Sequence, residues 1–211
     1  MSRIKICGLS REQDIAYVNE AQPDYVGFVM NFPKSHRSVT SERVRMLRQE
    51  LAEGIQAVGV FVNQQPRQVA AIARDTGIDF IQLHGSESEE DIASLQKLIK
   101  LPIIKAFQVT NSEDLKKAQR SCADYILLDS GQGTGRTFDW ALLEEVHRPY
   151  FLAGGLTPEN MEAAVQKLHP FALDISSGVE TEKQKDYEKI KRAVAIAHSI
   201  EDSAVKSPCS I

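Results

Sequence analysis

The fold is decided by residues 57–83, which read AVGVFVNQQPRQVAAIARDTGIDFIQL. Residues 57–62 and 80–83 are short runs rich in Val, Ile, Phe and Leu, which is the composition of a buried strand. Between them, Pro66 opens a segment, residues 69–76, whose apolar side chains recur at helical spacing. The stretch therefore predicts a strand, a helix and a second strand.

The same alternation continues on both sides of this stretch. Strand candidates are residues 4–7, 25–30, 57–62, 80–83, 103–109, 125–129, 150–153 and 171–175. Helical spacing follows each of them, at residues 11–19, 41–51, 69–76, 89–99, 113–119, 140–146, 159–168 and 185–199. Thr157-Pro158-Glu159 is expected to start the helix 159–168, because a hydroxyl suits the cap and proline the first turn. Eight such units, spaced about 25 residues apart, predict an α/β protein with a single-domain (β/α)8 TIM barrel.

A doubly wound open sheet is the alternative fold. It is disfavoured because no Gly-x-Gly-x-x-Gly follows the first strand and because eight units suffice to close a barrel. We expect one domain over residues 1–200, since 211 residues form one sizeable core. Residues 201–211 lose the periodicity and are expected to fray as a tail.

Composition excludes several classes of function. The net charge is −4 and no basic block occurs, which disfavours nucleic acid as a partner. No apolar run approaches the length of a membrane span, so we expect no membrane partner. The three cysteines are widely spaced and odd in number, which favours a reduced, cytoplasmic protein without zinc or disulfides.

The first strand ends in Lys5-Ile6-Cys7-Gly8 and brings a thiol to the rim of the sheet. Alternate strand residues share a face, so Arg3, Lys5 and Cys7 are expected on one face. An ammonium buried there needs a carboxylate partner. Two interpretations of Lys5 stay open. It lowers the pKa of the thiol, or it forms a purely structural pair with the carboxylate. Cys7 itself could be a small buried apolar residue.

The other predicted strands end in polar or glycine-rich segments, and barrel enzymes build their active sites from these loops. Gly154-Gly155 and Ser177-Gly178 could present backbone N–H groups to a phosphate. The alternative is a pair of ordinary tight turns.

Eight segments occur together in the order found in one enzyme family. They are Lys5-Ile6-Cys7-Gly8, Tyr25-Val26-Gly27-Phe28, Gly59-Val60-Phe61-Val62-Asn63, Ile81-Gln82-Leu83-His84-Gly85, Leu127-Leu128-Asp129, Gly133-Thr134-Gly135-Arg136-Thr137-Phe138-Asp139-Trp140, Ala153-Gly154-Gly155-Leu156 and Asp174-Ile175-Ser176-Ser177-Gly178-Val179-Glu180. From Lys5 to about Glu180 the chain thereby resembles the phosphoribosylanthranilate isomerase family of tryptophan biosynthesis.

The resemblance implies an Amadori rearrangement of N-(5-phosphoribosyl)anthranilate, without a cofactor or a metal. It makes Cys7 the general base and Asp129 the general acid, with the pKa of the thiol lowered and that of the carboxyl raised. Arg37 is the expected partner of the anthranilate carboxylate.

The remaining site residues follow from the same resemblance. His84 and Asp174 are expected to contact the substrate, although His84 could equally be a structural histidine. Gly154, Gly155, Ser177 and Gly178 are expected to bind its phosphate. Residues 130–132 form a short loop, with Gln132 where relatives have the first glycine of a pair, and this loop is expected to close over the substrate.

Two other functions are considered. A different sugar-phosphate barrel, such as a histidine-pathway isomerase or a ribulose-phosphate epimerase, is disfavoured by Cys7 at the end of the first strand. A catalytically silent scaffold would have lost the acid and the base, and here both are present. The expected partner is a small sugar phosphate, bound by a monomer or a homodimer.

Overall fold

A computed structural model describes residues 2–129, 143 and 146–200 of the chain. Its centre is a barrel of eight parallel strands: β1 (Arg3–Cys7), β2 (Tyr25–Met30), β3 (Gln56–Phe61), β4 (Phe80–Leu83), β5 (Ile103–Gln108), β6 (Tyr125–Asp129), β7 (Tyr150–Ala153) and β8 (Ala172–Ile175). Because β1 pairs with both β2 and β8, the sheet closes on itself. The predicted TIM barrel is confirmed, and each strand lies within one residue of its predicted limits.

Seven helices surround the barrel in the described part of the chain: α1 (Glu12–Ala21), α2 (Ser41–Gln49), α3 (Pro66–Thr76), α4 (Glu89–Leu98), α5 (Ser112–Arg120), α6 (Met161–Leu168) and α7 (Tyr187–Ser199). The helix predicted at 140–146 and the tail 201–211 lie outside the described residues, apart from Leu143 and Val146. No described helix has the length and apolar character needed to cross a membrane.

The predicted start of α6 is wrong. Thr157-Pro158-Glu159 does not open the helix, which begins at Met161. The reason is Asn160, whose Oδ1 accepts from the Thr157 N–H at 2.9 Å while its Nδ2 donates to the Gly155 carbonyl at 2.9 Å. An asparagine that bonds the backbone in this way stabilises a turn in place of a helical turn.

Three two-residue strands complete the architecture. Ser38–Val39 lies beside β2, and Glu180–Thr181 pairs with Gln184–Lys185 as an antiparallel hairpin that we call the β8 hairpin. A 3-10 turn at Ser177–Val179 connects β8 to this hairpin. The hairpin therefore follows β8 after this short turn and lies beside the C-terminal ends of the strands.

The two faces of each strand carry different parts of the core. On β1, Ile4 and Ile6 are fully buried in the layer that packs against the helices, and Lys5 on the opposite face is also fully buried. The N-terminal end of the barrel is filled by five contacting aromatic rings, whose centroids lie 5.1 to 6.1 Å apart. We call this group the aromatic floor; it consists of Tyr25, Phe80, Tyr125, Phe151 and Phe171.

Candidate active site

A cavity of about 350 Å³ opens at the C-terminal ends of the strands. It is lined by eight of the nine predicted site residues: Cys7, Arg37, His84, Asp129, Gly154, Gly155, Asp174 and Ser177. The ninth, Gly178, is not among the lining residues. A Cβ at Gly178 would lie 2.0 Å from the Leu156 carbonyl oxygen, so this glycine allows the loops after β7 and β8 to pack together.

Strand β1 delivers Lys5 and Cys7 to the interior of the barrel. Lys5 Nζ lies 2.9 and 3.0 Å from the two carboxylate oxygens of Asp174, its register neighbour on β8. The prediction that Lys5 has a carboxylate partner is thereby confirmed. Gly27 of β2 stands opposite Cys7, and a Cβ there would lie 2.7 Å from Cys7 Sγ and 3.1 Å from Lys5 Nζ. The missing side chain leaves room for both the thiol and the ammonium.

The pKa of Cys7 lies above its ordinary value. Burial raises this pKa because it disfavours the thiolate, and the nearby Asp174 carboxylate raises it further. The ammonium groups of Lys5 and Lys185 lower the pKa of the thiol but do not reverse the effect. The expected lowering of the Cys7 pKa is therefore wrong for this structure, although Lys5 acts in the expected direction.

His84 reaches the cavity from the end of β4. Gln82 Nε2 lies 2.8 Å from its Nδ1, within hydrogen-bond distance. His84 Nε2 lies 3.9 Å from the nearer carboxylate oxygen of Asp129. Burial lowers the pKa of His84 and outweighs the opposite influence of Asp129, so the imidazole is neutral near pH 7.

Arg37 is held by a carboxylate that the sequence analysis did not single out. Its Nε and Nη2 each donate to one oxygen of Glu180 at 2.7 Å, and Lys185 Nζ donates to Glu180 Oε1 at 2.7 Å. Burial alone would raise the pKa of Glu180, but the hydrogen bonds and charges of these two cations bring it down to about 2. Glu180 closes the last segment of the resemblance, whereas no signal in the sequence pointed to Lys185.

Gly8 allows Arg37 to reach the cavity. Its φ is +86°, a left-handed conformation that favours glycine, and a Cβ would lie 2.4 Å from Arg37 Cδ. The Cys7-Gly8 pair therefore serves two purposes. Cys7 points its thiol into the barrel, and Gly8, without a Cβ, leaves room for the side chain of Arg37.

The expected phosphate loops lie side by side at the rim. Gly154 and Gly155 have φ values of +93° and +64°, and Ser177 begins the 3-10 turn after β8. Within the described chain, the N–H groups of Gly155 and Ser177 donate to no other protein group. They have the chemistry that an anion requires. The loop 130–132, expected to close over the substrate, lies outside the described residues.

The sequence is similar to one enzyme family over most of its length. The model of the N-(5'phosphoribosyl)anthranilate (PRA) isomerase family matches residues 4–195. An N-(5'-phosphoribosyl)anthranilate isomerase of Endomicrobium trichonymphae is 43% identical over 205 residues, covering 95% of this chain and all of the relative. One from Acetivibrio thermocellus is also 43% identical, with 90% and 93% of the two chains covered.

Solved structures of similar proteins share the fold of this chain. The phosphoribosyl anthranilate isomerase of Thermotoga maritima superposes with a TM-score of 0.86 at 36% identity, over 95% of this chain and all of that one. A phosphoribosyl anthranilate isomerase in complex with reduced 1-(o-carboxyphenylamino)-1-deoxyribulose 5-phosphate gives a TM-score of 0.84 at 35% identity and the same coverage. Monomers generated from the dimeric Thermotoga maritima protein give 0.82 at 33% identity, again with the same coverage.

Proposed function

Because the chain belongs to the N-(5'-phosphoribosyl)anthranilate isomerase family, we propose that its cavity performs this isomerisation with Cys7 as general base and Asp129 as general acid. The reaction converts N-(5-phosphoribosyl)anthranilate into 1-(2-carboxyphenylamino)-1-deoxyribulose 5-phosphate, a step of tryptophan biosynthesis. One observation carries the assignment of roles. A thiol, a carboxyl, an arginine and two glycine-containing loops, at or just after the C-terminal ends of five different strands, line a single cavity.

The proposed chemistry needs one proton delivered and one removed. Asp129 gives a proton to the ring oxygen as the bond from that oxygen to C1′ breaks, which leaves a Schiff base between C1′ and the anthranilate nitrogen. Cys7, as thiolate, takes the C2′ proton, and the electron pair forms the C1′–C2′ double bond of an enamine. The 2′-hydroxyl then loses its proton and C1′ gains one, which gives the ketone with no net change in atoms.

The raised pKa of Cys7 limits when this base is active. Before substrate binds, this raised pKa favours the protonated thiol near neutral pH. The Schiff base is cationic, and a positive charge beside the thiol adds to the effect of Lys5 and Lys185 in favouring the thiolate. The thiolate is therefore most populated when the C2′ proton is ready to leave.

The substrate has two anionic groups, and the lining of the cavity offers a partner for each. Arg37 offers a guanidinium for the anthranilate carboxylate. The N–H groups of Gly155 and Ser177 suit the phosphate, with Gly154 and Gly178 shaping the two loops. Asp174 and neutral His84 also line the cavity, and they suit contacts with the sugar hydroxyls. The base requires a reduced thiol, and we place the enzyme in the cytoplasm for that reason.

The activity is tested by mixing the protein with freshly prepared phosphoribosylanthranilate and following the loss of its fluorescence. The account predicts a decay whose rate is proportional to protein concentration. Ribulose 5-phosphate, which lacks the anthranilate group, serves as the control substrate and should not be turned over. A protein that leaves the fluorescence unchanged, or that acts on the control substrate instead, would contradict the proposal.

A further inference from the structure

The Glu180 carboxylate lies between two cations at the edge of the cavity. Its two oxygens accept three hydrogen bonds of 2.7 Å, two from Arg37 and one from Lys185. The side chains of Glu180 and Lys185 are 7% and 2% exposed, whereas that of Arg37 is 24% exposed. The two inner groups are thus withdrawn from water, and the arginine alone faces the cavity to a substantial degree.

The second cation has a consequence for the charge of the cluster. A single arginine paired with a single carboxylate would be neutral, but Lys185 leaves the three groups with one net positive charge. Lys185 is itself fixed, because its Nζ also donates to the Ser176 carbonyl at 3.0 Å. The cluster therefore retains attraction for an anion while holding the guanidinium in one orientation.

The orientation of Arg37 leaves one nitrogen for a ligand. Nε and Nη2 are occupied by Glu180, and Nη1 donates to no group of the described chain. Gly8 permits the stem of the side chain to pass over the end of β1. From these contacts we propose that Glu180, anchored by Lys185, is a positioning residue that fixes Arg37 for the substrate carboxylate. The inference rests on the proposed function of Arg37.

The proposal is tested with two ligands that differ only in the carboxylate. The first is reduced 1-(o-carboxyphenylamino)-1-deoxyribulose 5-phosphate, and the second is its N-phenyl counterpart without the carboxyl group. In the unmodified protein the carboxylated ligand should bind about tenfold or more tightly than its counterpart. Glu180→Gln should reduce this preference to about threefold or less, because the guanidinium is no longer held by a charge.

Three further variants make the readout specific. Glu182→Gln removes the same charge from an exposed position of the β8 hairpin and should leave the preference unchanged. Glu180→Asp keeps the charge but shortens the side chain, and it should lose the preference as Glu180→Gln does. In an Arg37→Ala background, Glu180→Gln should have no further effect on the preference, since coupled residues are not additive. If Glu180→Gln does not fold, Lys185→Met tests the same cluster and should also reduce the preference.

The possible failures separate the inference from the proposed function. If the unmodified protein prefers the carboxylated ligand and Glu180→Gln keeps that preference in full, the positioning role is wrong while the role of Arg37 stands. If Glu180→Gln weakens both ligands equally, the residue is only structural and the inference is again overturned. If the unmodified protein shows no preference, the assignment of Arg37 to the carboxylate is wrong, and the inference falls with it.

Discussion

The two ends of the barrel are built from the same strands but carry opposite kinds of side chain. On β2, Tyr25 belongs to the aromatic floor, and Gly27 on the same face borders the thiol of Cys7. On β7, Phe151 is fully buried in the floor, and Ala153 on the same face lines the cavity. Two residues along each of these strands therefore separate the apolar aromatic floor from the polar end of the barrel that holds the cavity. We call this polar end the mouth.

One end of the barrel supplies stability, and the other end supplies the groups for chemistry. Packed aromatic rings stabilise the folded state through the burial of apolar surface and through their edge-to-face contacts. The mouth instead buries Lys5 against Asp174 and Glu180 against two cations, and such pairs contribute little net stability because desolvation offsets their attraction. The charged groups at the mouth are thus explained by ligand binding and catalysis. The rings of the aromatic floor are explained by the stability of the barrel.

The largest expected effect at the mouth concerns Asp129. Asp129→Asn removes the proton donor while keeping the shape of the side chain, so kcat should fall by about 10²–10⁴-fold. The melting temperature should change little, because the carboxyl lies at the open end of the barrel. A variant with normal turnover, measured by the loss of substrate fluorescence, would remove Asp129 from the mechanism.

A substitution at the floor should have the opposite outcome. Phe151→Ala deletes a fully buried ring that contacts Tyr25, Tyr125 and Phe171, and it should cost about 3–5 kcal/mol of unfolding free energy. Calorimetry should show a melting temperature lower by about 10 °C or more. Activity per folded molecule at low temperature should be retained, and its loss would show that the floor also shapes the cavity.

The Lys5–Asp174 pair at the mouth tests whether a buried ion pair there serves the reaction or only stability. Lys5→Met leaves a buried carboxylate without its partner and should cost about 3 kcal/mol or more. Adding Asp174→Leu to that variant should recover most of the stability without recovering activity. Thermal melts and turnover of the single and double variants check this. Recovery of activity in the double variant would make the pair purely structural.

A smaller effect distinguishes the two regions by pH. The pKa of Glu180 is about 2 in the folded state, so its contribution to stability is present above the ordinary glutamate range and is lost as the pH falls towards 2. Burial raises the pKa of Tyr25 to about 12, so its contribution is present below the ordinary tyrosine range near 10 and is lost as the pH rises towards 12.

Thermal melts across pH check both signs. Glu180→Gln should flatten the acid side of the stability profile, and Tyr25→Phe should flatten the alkaline side. If Glu180→Gln changed only the alkaline side, the assignment of this carboxylate as the ionised partner of Arg37 and Lys185 would be wrong.

Much of the fold could be predicted from the sequence, because strands in a closed parallel barrel are continuous apolar runs that periodicity finds directly. The start of α6 could not, because Asn160 and Thr157-Pro158 offer competing local signals that only the folded backbone resolves. At the site, the sequence predicted that Lys5 has a carboxylate partner but not that Asp174, 169 residues away, supplies it. The direction of the Cys7 pKa was mispredicted because burial is a property of the packed cavity.

The role of Cys7 as general base is tested most directly by the turnover of Cys7→Ala, measured together with its melting temperature and its affinity for the reduced product analogue. The account predicts a loss of kcat of about 10²–10⁴-fold, with folding and affinity nearly unchanged, because the thiol acts only on the C2′ proton. It also predicts that kcat/KM of the unmodified enzyme rises with pH through the thiol ionisation and that this rise disappears in the variant. A Cys7→Ala protein that keeps most of its turnover, or that keeps the same rise with pH, would contradict the central claim.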